Sequence, residues 1–386
     1  MMHPRAFVAA LAALAAAGSA RAQERPARDY YAWVASEAVD RIQLVRFGPT
    51  GLTLERAFTT GIMPTDPDGP HGVALGPGGK RLFVTTGHGT PFGSLWKYGT
   101  ADDRLEGRVE LGSFPATLQV SPDGYLAYVV NFNLHGEMVP SSVSVVATDE
   151  MLEITRIPTC VMPHGSRLNA AGTRHYSACM MDDMLVEIDT RALEVSRSFV
   201  LRKGREHGTV GRLTQPAAER GASPAHDAGG HGMEPPKPGD VSCSPTWAQP
   251  SADGRRVFVA CNKASDIAEI DAGRWTLTRR WPAGNGVYNL AATRDGKLLL
   301  ATNKRGQSVS VFDAASGREL KRLPTKRKVV HGVAITADDR YAFVSVEGMG
   351  SEPGTVEVID LRALATVGTL DVGAMAGGID VMMMSP

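Results

Sequence analysis

The chain has 386 residues, a formal net charge of zero, 43% hydrophobic residues and 21% charged residues. This balance is that of an ordinary globular protein. It excludes a largely disordered chain and the excess of positive charge expected of a nucleic-acid-binding protein.

The first 22 residues have the pattern of a secretory signal peptide. Arg5 gives a positively charged start, an apolar run follows from Phe7 to Ala17, and the small residues of Ala20-Arg21-Ala22 suit cleavage before Gln23. The apolar run is too short to span a membrane as a helix. We therefore expect an exported protein, periplasmic or secreted, that is cut after Ala22 and has no membrane span.

From residue 30 onward the sequence predicts short strands separated by small-residue turns. Residues 30–38, 40–48 and 53–61 predict three strands of a unit whose first strand is missing. Six further units follow with a period of roughly 40 to 50 residues, which is typical of a β-propeller. Three of them carry Asp-Gly at the first tight turn, where glycine supplies the positive φ that such turns need. These turns are Asp123-Gly124, Asp253-Gly254 and Asp295-Gly296.

The chain ends with residues 376–384, which predict a first strand without the other three. Pairing this strand with the N-terminal three would complete one unit and close the ring, which removes exposed sheet edges. The sequence therefore predicts an all-β, seven-bladed β-propeller of four-stranded blades, in which N-terminal strands B, C and D pair with a C-terminal strand A. Six and eight blades are the alternatives. One domain then covers residues 23–386.

One interval between blades is too long for the repeat. About 38 extra residues, at about 203–241, are rich in Gly, Pro and Ala and have no periodicity. We expect a flexible insertion that lies over one face of the propeller.

The histidines gather on one predicted face. In a four-stranded meander the D–A and B–C connections share one face, which we call the top face. Eight of the nine histidines that follow the signal peptide fall there by this rule. Three of them start strand A at one repeat position: His71, His164 and His331. His88 and His135 lie in B–C loops. His207, His226 and His231 lie in the insertion. Only His175 falls in a strand B.

This clustering predicts a metal or redox centre on the top face. Imidazole is the commonest metal ligand, and thioethers nearby at Met180, Met181 and Met233 favour copper over magnesium or calcium. Zinc and iron are the alternatives. The candidate ligands are His71, His88, His135, His164 and His331, joined by His231 and Met233 from the insertion. The alternative interpretation is structural, with each strand-A histidine bonding a carbonyl of a neighbouring blade.

The four cysteines form two pairs, Cys160 with Cys179 and Cys243 with Cys261. Each pair brackets strands A and B of one blade, so antiparallel pairing brings the two thiols near each other. In an oxidising compartment this predicts two disulfides within blades. Thiolate ligation is the alternative, because Cys160-x-x-x-His164 is similar to a fragment of a copper site.

The units SPDGYLAYVVNFN, SADGRRVFVACNK and TRDGKLLLATNKRGQSVSVFD, with the strand ending VEVID, resemble the YVTN-type β-propeller repeat. The resemblance covers nearly all of the chain after the signal peptide. Such proteins are similar in fold to the propeller domains of nitrous-oxide reductase and cytochrome-type nitrite reductase, which are periplasmic and carry copper or haem at the channel face. The positions of His71, His164 and His331 are compatible with that likeness. No C-x-x-C-H motif for covalent haem is present.

Three functions remain open at this point. The first is an exported protein that binds a metal, copper favoured, or a redox cofactor. The second is a lactonase or lyase in which His71, His164 or His331 acts with a metal or as a general base, oriented by Asp182 or Glu347. The third is a scaffold for protein interaction without chemistry. The expected partners are a small ligand, a metal ion or a periplasmic protein, with no nucleic acid, and the chain is expected to be a monomer.

Overall fold

The computed structural model describes residues 25–61, 67–88, 92–213, 239 and 241–383. The predicted signal peptide lies outside the described residues, as do His226, His231 and Met233. No helix in these ranges has the length and apolar character needed to cross a membrane.

The described chain consists almost entirely of short strands. The first half contains β1 (Tyr30–Ser36), β2 (Arg41–Gly48), β3 (Gly51–Thr59), β4 (Pro70–Leu75), β5 (Arg81–Thr86), β6 (Ser94–Gly99), β7 (Leu105–Glu110), β8 (Pro115–Val120), β9 (Leu126–Asn131), β10 (Pro140–Ala147), β11 (Leu152–Val161), β12 (Pro163–Leu168), β13 (Arg174–Cys179), β14 (Met184–Asp189), β15 (Glu194–Val200) and β16 (His207–Val210). The second half contains β17 (Pro245–Pro250), β18 (Arg256–Cys261), β19 (Asp266–Asp271), β20 (Thr276–Pro282), β21 (Val287–Ala292), β22 (Leu298–Asn303), β23 (Ser308–Asp313), β24 (Glu319–Pro324), β25 (Val330–Ile335), β26 (Tyr341–Val346), β27 (Gly354–Asp360), β28 (Ala365–Val372) and β29 (Ala376–Met383). Two 3₁₀ turns, Glu37–Val39 and Pro77–Gly79, join β1 to β2 and β4 to β5.

The strands form seven antiparallel sheets, which confirms the predicted seven-bladed propeller. Blade 1 has the order β29-β1-β2-β3, so the C-terminal strand supplies the inner strand of the N-terminal blade. In this closing pair Val34 lies opposite Ile379. Blades 2 to 7 follow in chain order and begin with inner strands β4, β8, β12, β17, β21 and β25.

Short sequence patterns account for the turns within each blade and for the packing between blades. The Asp-Gly turns form as predicted, with φ of 84° at Gly124, 68° at Gly254 and 71° at Gly296. Apolar side chains of neighbouring blades pack face to face; for example, the buried Trp33 of blade 1 shares one cluster with Trp96 of blade 2. Burial of these layers is what joins the blades.

The first part of the insertion is a strand, whereas the sequence predicted a loop. Residues His207–Val210 form β16, a fifth strand at the outer edge of blade 4, where they pair with β15. The residues that follow, 214–238, lie outside the described ranges.

Both predicted disulfides are present. Cys160 is bonded to Cys179 with a Cα–Cα distance of 5.9 Å, and Cys243 is bonded to Cys261 with a Cα–Cα distance of 4.5 Å. The bond of Cys243 ties the residues just before the inner strand β17 to the end of β18, within blade 5 as predicted. The prediction of a bond within one blade was wrong for Cys160, because this residue lies in the outer strand β11 of blade 3 and is bonded to Cys179 at the end of β13 in blade 4. The alternative of thiolate ligation by Cys160 is therefore wrong, because its sulfur is already bonded.

Removing one disulfide should destabilise the propeller measurably. The sequence separation of Cys160 and Cys179 is 19 residues, and closing a loop of this size stabilises a protein by about 3 kcal/mol. We expect the Cys160→Ala/Cys179→Ala double variant to lose about that much free energy of unfolding in a urea titration. The matched Cys243→Ala/Cys261→Ala variant should lose a similar amount, and unchanged urea midpoints in both would contradict the prediction.

Candidate functional site

Three histidines meet where the inner strands enter the central channel. His71, His164 and His331 each occupy the second position of an inner strand, in β4, β12 and β25. All three are buried. The ring centroids of His71 and His331 are 5.6 Å apart, and those of His71 and His164 are 6.1 Å apart. Closure of the ring thus brings together residues that are up to 260 positions apart in the sequence.

Hydroxyl groups from one blade hold the backbone of the next at this level. Thr117 donates a hydrogen bond to the carbonyl of His164 at 2.5 Å, and Thr302 donates to the carbonyl of His331 at 3.0 Å. Thr246 does the same for the carbonyl of Tyr288 at 2.8 Å. The positions of the site residues are therefore set by hydrogen bonds between blades as well as within them.

A buried carboxylate orients two of the imidazoles. Glu37 lies in the short turn between β1 and β2, and its Oε2 is 2.8 Å from Nδ1 of His71. Its Oε1 contacts Nε2 of His88. This hydrogen bond raises the pKa of His88 against the opposing effect of burial. Because a carboxylate accepts, Nδ1 of His71 carries a hydrogen, and the neutral form of this ring has its lone pair on Nε2.

A tyrosine completes the ring of site residues. Nδ1 of His164 donates to the carbonyl of Thr246 at 3.1 Å, which leaves Nε2 as the acceptor. The hydroxyl of Tyr288 donates to this Nε2 at 3.1 Å. Burial raises the pKa of Tyr288 well above its usual value, so the phenol stays protonated.

An ion pair lies beside the tyrosine. Nζ of Lys304 is 3.0 Å from Oε1 of Glu347, and the same oxygen is 3.8 Å from Nε2 of His331. Nζ also lies 4.4 Å from the ring centroid of Tyr288. Both charged side chains are almost completely buried. Among the described residues, the channel mouth thus brings a cation, two carboxylates and several imidazoles into a small volume.

Aromatic side chains enclose the site. Phe114 packs 5.3 Å from His71 and 5.2 Å from His88, and Phe132 packs 4.7 Å from His164, measured between ring centroids. The ring of His135 lies 5.4 Å from that of His88. All five histidines proposed as ligands from the inner strands and B–C loops are therefore within one connected group. His71, His164 and His331 are buried, which strengthens their electrostatic interactions, whereas His88 and His135 lie at the exposed rim of the group.

The metal prediction has one supporting and one opposing observation. Ring centroids of two imidazoles that share an ion with metal–nitrogen bonds of about 2 Å are roughly 5 to 6 Å apart, which matches His71 and His331. However, no group of three His, Cys, Asp or Glu side chains in the described ranges stands in metal-holding geometry. The described site therefore has imidazoles at suitable spacing without a formed coordination shell.

Two other residues that the sequence analysis singled out, Met180 and Asp182, make contacts that stabilise the fold. Met180 packs in an apolar cluster with Phe114 and Phe132. Asp182 accepts the backbone N–H of Val161 through Oδ2 at 2.8 Å.

Two histidines lie apart from the channel mouth. His207, predicted on the top face, is exposed in the outer strand β16. His175, predicted in a strand B, is buried in β13 and stacked on Tyr128 with ring centroids 5.4 Å apart.

Sequence reasoning missed Glu37 and Tyr288. Tyr288 occupies the second position of β21, the same position as His71 in β4, so an alignment of the inner strands would have found it. No repeat position marks Glu37 in the sequence, because it contacts His71 only after blade 1 has closed the ring beside blade 2. Glu347 was anticipated as an orienting group and does lie beside His331.

Comparisons with known proteins support the fold alone. Neither a scan against protein-family models nor a search of curated proteins gave a match. Among solved structures, hydrazine synthase of Kuenenia stuttgartiensis is similar, with a TM-score of 0.60, 18% identity, and coverage of 84% of this chain and 98% of that one. A protein of unknown function from Desulfotomaculum acetoxidans is similar with a TM-score of 0.65, 15% identity, and coverage of 92% and 99%. The class that fold and site define is a seven-bladed β-propeller with a histidine-rich channel mouth.

The burial of His175 should make the protein sensitive to acid. Burial lowers the pKa of His175 to about 3, whereas an unfolded histidine titrates near 6.5. Its contribution to stability is therefore present above about pH 6.5 and is lost as the pH falls, by about 1.4 kcal/mol per pH unit down to the folded pKa. In urea titrations at pH 7 and pH 4.5, we expect His175→Phe to lose less stability on acidification than the wild type. An equal loss in both proteins would contradict this, and the exposed His207→Asn is the control.

Proposed function

We propose that this chain is an exported β-propeller that binds a divalent transition-metal ion at the channel mouth, with copper as the first candidate. The observation that carries the proposal is the approach of His71 to His331 at a spacing suited to a shared ion, with Glu37 behind His71. A carboxylate that fixes the outer nitrogen of an imidazole is the usual support of a metal-ligating histidine. The two disulfides are compatible with export to an oxidising compartment.

The chemistry of the residues indicates which nitrogens would bind the ion. Nε2 of His71 carries the lone pair, and His331 would supply the second imidazole. His164 would join after Tyr288 gives up its hydrogen bond to Nε2. Imidazole ligands suit copper, zinc, nickel and iron, and Cu²⁺ binds nitrogen ligands most strongly among these divalent ions. Copper is favoured by this order of affinities and not by a thioether ligand, because Met180 packs among phenylalanines.

Calorimetric titration of the purified mature protein with Cu²⁺ and Zn²⁺ tests the proposal. We expect one site, a dissociation constant at least tenfold weaker in His71→Ala, and a loss of about 10-fold to 100-fold in Glu37→Gln, because outer partners of ligating histidines have effects of that size. His207→Asn serves as the matched control and should bind as the wild type does. A protein that binds neither ion, or a His71→Ala variant with wild-type affinity, would contradict the proposal.

The pair of Tyr288 and His164 favours a second candidate, an enzyme of the lactonase or lyase kind. A protonated phenol bonded to a neutral imidazole is suited to general acid and base catalysis. Lys304 beside the phenol ring would stabilise negative charge that develops there.

This candidate predicts turnover that depends on the phenol. Hydrolysis of a panel of γ- and δ-lactones should fall at least 100-fold in Tyr288→Phe, within the range for general acid–base catalysis, while the variant keeps the circular dichroism of the wild type. Equal rates in the wild type and the variant would rule out this role. If substitutions at the channel mouth reduce neither metal binding nor turnover, the result would favour a scaffold for protein interaction.

A further inference from the structure

Below the histidines, the channel forms a polar cavity of about 440 Å³ that extends to the opposite face of the propeller. His71 and His331 line its upper end, and Arg294 and Asp339, from the A–B turns, line its lower end. The volume is within the range of small-molecule sites, roughly 300 to 1,000 Å³. Its lower wall is formed by the fifth residues of the inner strands.

Among the described fifth residues of the inner strands, one is a cation and one is a carboxylate, and they stand on opposite walls of the channel. Arg167 is the fifth residue of β12, and Asp380 is the fifth residue of β29. Around the ring, β29 is followed by β4, β8 and then β12, so the two residues stand three blades apart in a ring of seven. The two charges are close enough to interact electrostatically, and Arg294 at the lower end of the cavity also acts on Asp380. No ion pair between Arg167 and Asp380 forms among the described residues.

Each of these charges retains unused hydrogen-bonding capacity. One N–H of Arg167 donates to the carbonyl of Ser166 at 3.0 Å, and the guanidinium lies 4.7 Å from the ring centroid of Trp247. The guanidinium has five donors, so most of them remain for another acceptor. Asp380 accepts the backbone N–H groups of Leu75 and Val381, both at 2.8 Å, which holds its carboxylate in place on the wall.

Neutral polar groups complete the wall between the charges. Asn289 is 3% exposed, lines the cavity, and its Oδ1 has no protein hydrogen-bond partner in the described ranges. Gln119 and Gln249 line the cavity at the same level as Arg167, and each donates its amide N–H to a neighbouring backbone carbonyl. A buried acceptor without a donor costs free energy, which a ligand that donates would recover.

We propose that the lower channel binds a small free amino acid, with its carboxylate on Arg167 and its ammonium group toward Asp380 and Asn289. A zwitterion matches two opposite charges that face each other without pairing. A guanidinium binds a carboxylate through two parallel hydrogen bonds, and an ammonium group donates to carboxylate and amide oxygens. The proposal does not depend on metal binding at the channel mouth.

Titration calorimetry in the presence of EDTA tests the proposal. The probes are glycine, L-glutamine and 4-aminobutanoate, which differ in size and in the distance between their charges. Acetate and methylammonium each carry one of the two charges and are the matched control ligands. We expect at least one probe to bind, and to bind at least tenfold more tightly than either control ligand.

Variants then assign the charges. Arg167→Gln and Asp380→Asn should each weaken binding of that probe at least tenfold, and Arg255→Gln, whose side chain is 84% exposed on an A–B turn, should not. Circular dichroism verifies folding, and Arg167→Lys replaces Arg167→Gln if the latter does not fold, with the same loss expected because lysine lacks the planar fork. The proposal is overturned if no probe binds, if a control ligand binds as tightly as the probes, or if both channel variants bind as the wild type does.

Discussion

The pairing of β29 with β1 is the contact on which the whole site depends. It joins the last described residues of the chain to the first and turns seven separate sheets into one ring. Without it, blade 1 lacks its inner strand, and Glu37 is no longer held against His71. The same strand carries Asp380 into the channel, so both the upper and the lower part of the channel rely on closure.

The channel mouth combines rigid backbone with adaptable side chains. Hydroxyl groups such as those of Thr117 and Thr302 hold the inner strands at the level of the histidines. The imidazoles themselves are held by groups of different chemistry: a carboxylate at His71 and a phenol at His164. Under the proposed function, a metal ion bound to Nε2 of His164 would displace the phenol of Tyr288 from this nitrogen.

The fold was predictable from sequence because its signals are local and repeated. The Asp-Gly turns, the alternating strands and the unmatched strands at both ends are each visible in a short window, and all were confirmed. The pairing of Cys243 with Cys261 followed from the same logic, since antiparallel strands bring the ends of a hairpin together, whereas the bond of Cys160 to Cys179 joins two blades. The insertion was harder, because the outer strand β16 has only four residues and no pattern that separates it from a loop.

The composition of the site was predictable only in part. His71, His164 and His331 share a repeat position, and the propeller topology alone places them at one mouth. Glu37 and Tyr288 are single residues whose importance comes from neighbours in other blades, and no local pattern marks such contacts. The same holds for Arg167 and Asp380, which are ordinary strand residues in sequence and become opposite walls of one cavity only when the ring is closed.

Anomalous diffraction from crystals of the mature protein grown with Cu²⁺ tests most directly whether the channel mouth binds a metal ion. A copper peak about 2 Å from ring nitrogens of both His71 and His331 is the predicted result. Such a peak would require imidazoles from two distant blades to share one ion. Copper bound elsewhere on the molecule, with the channel mouth empty, would contradict the account.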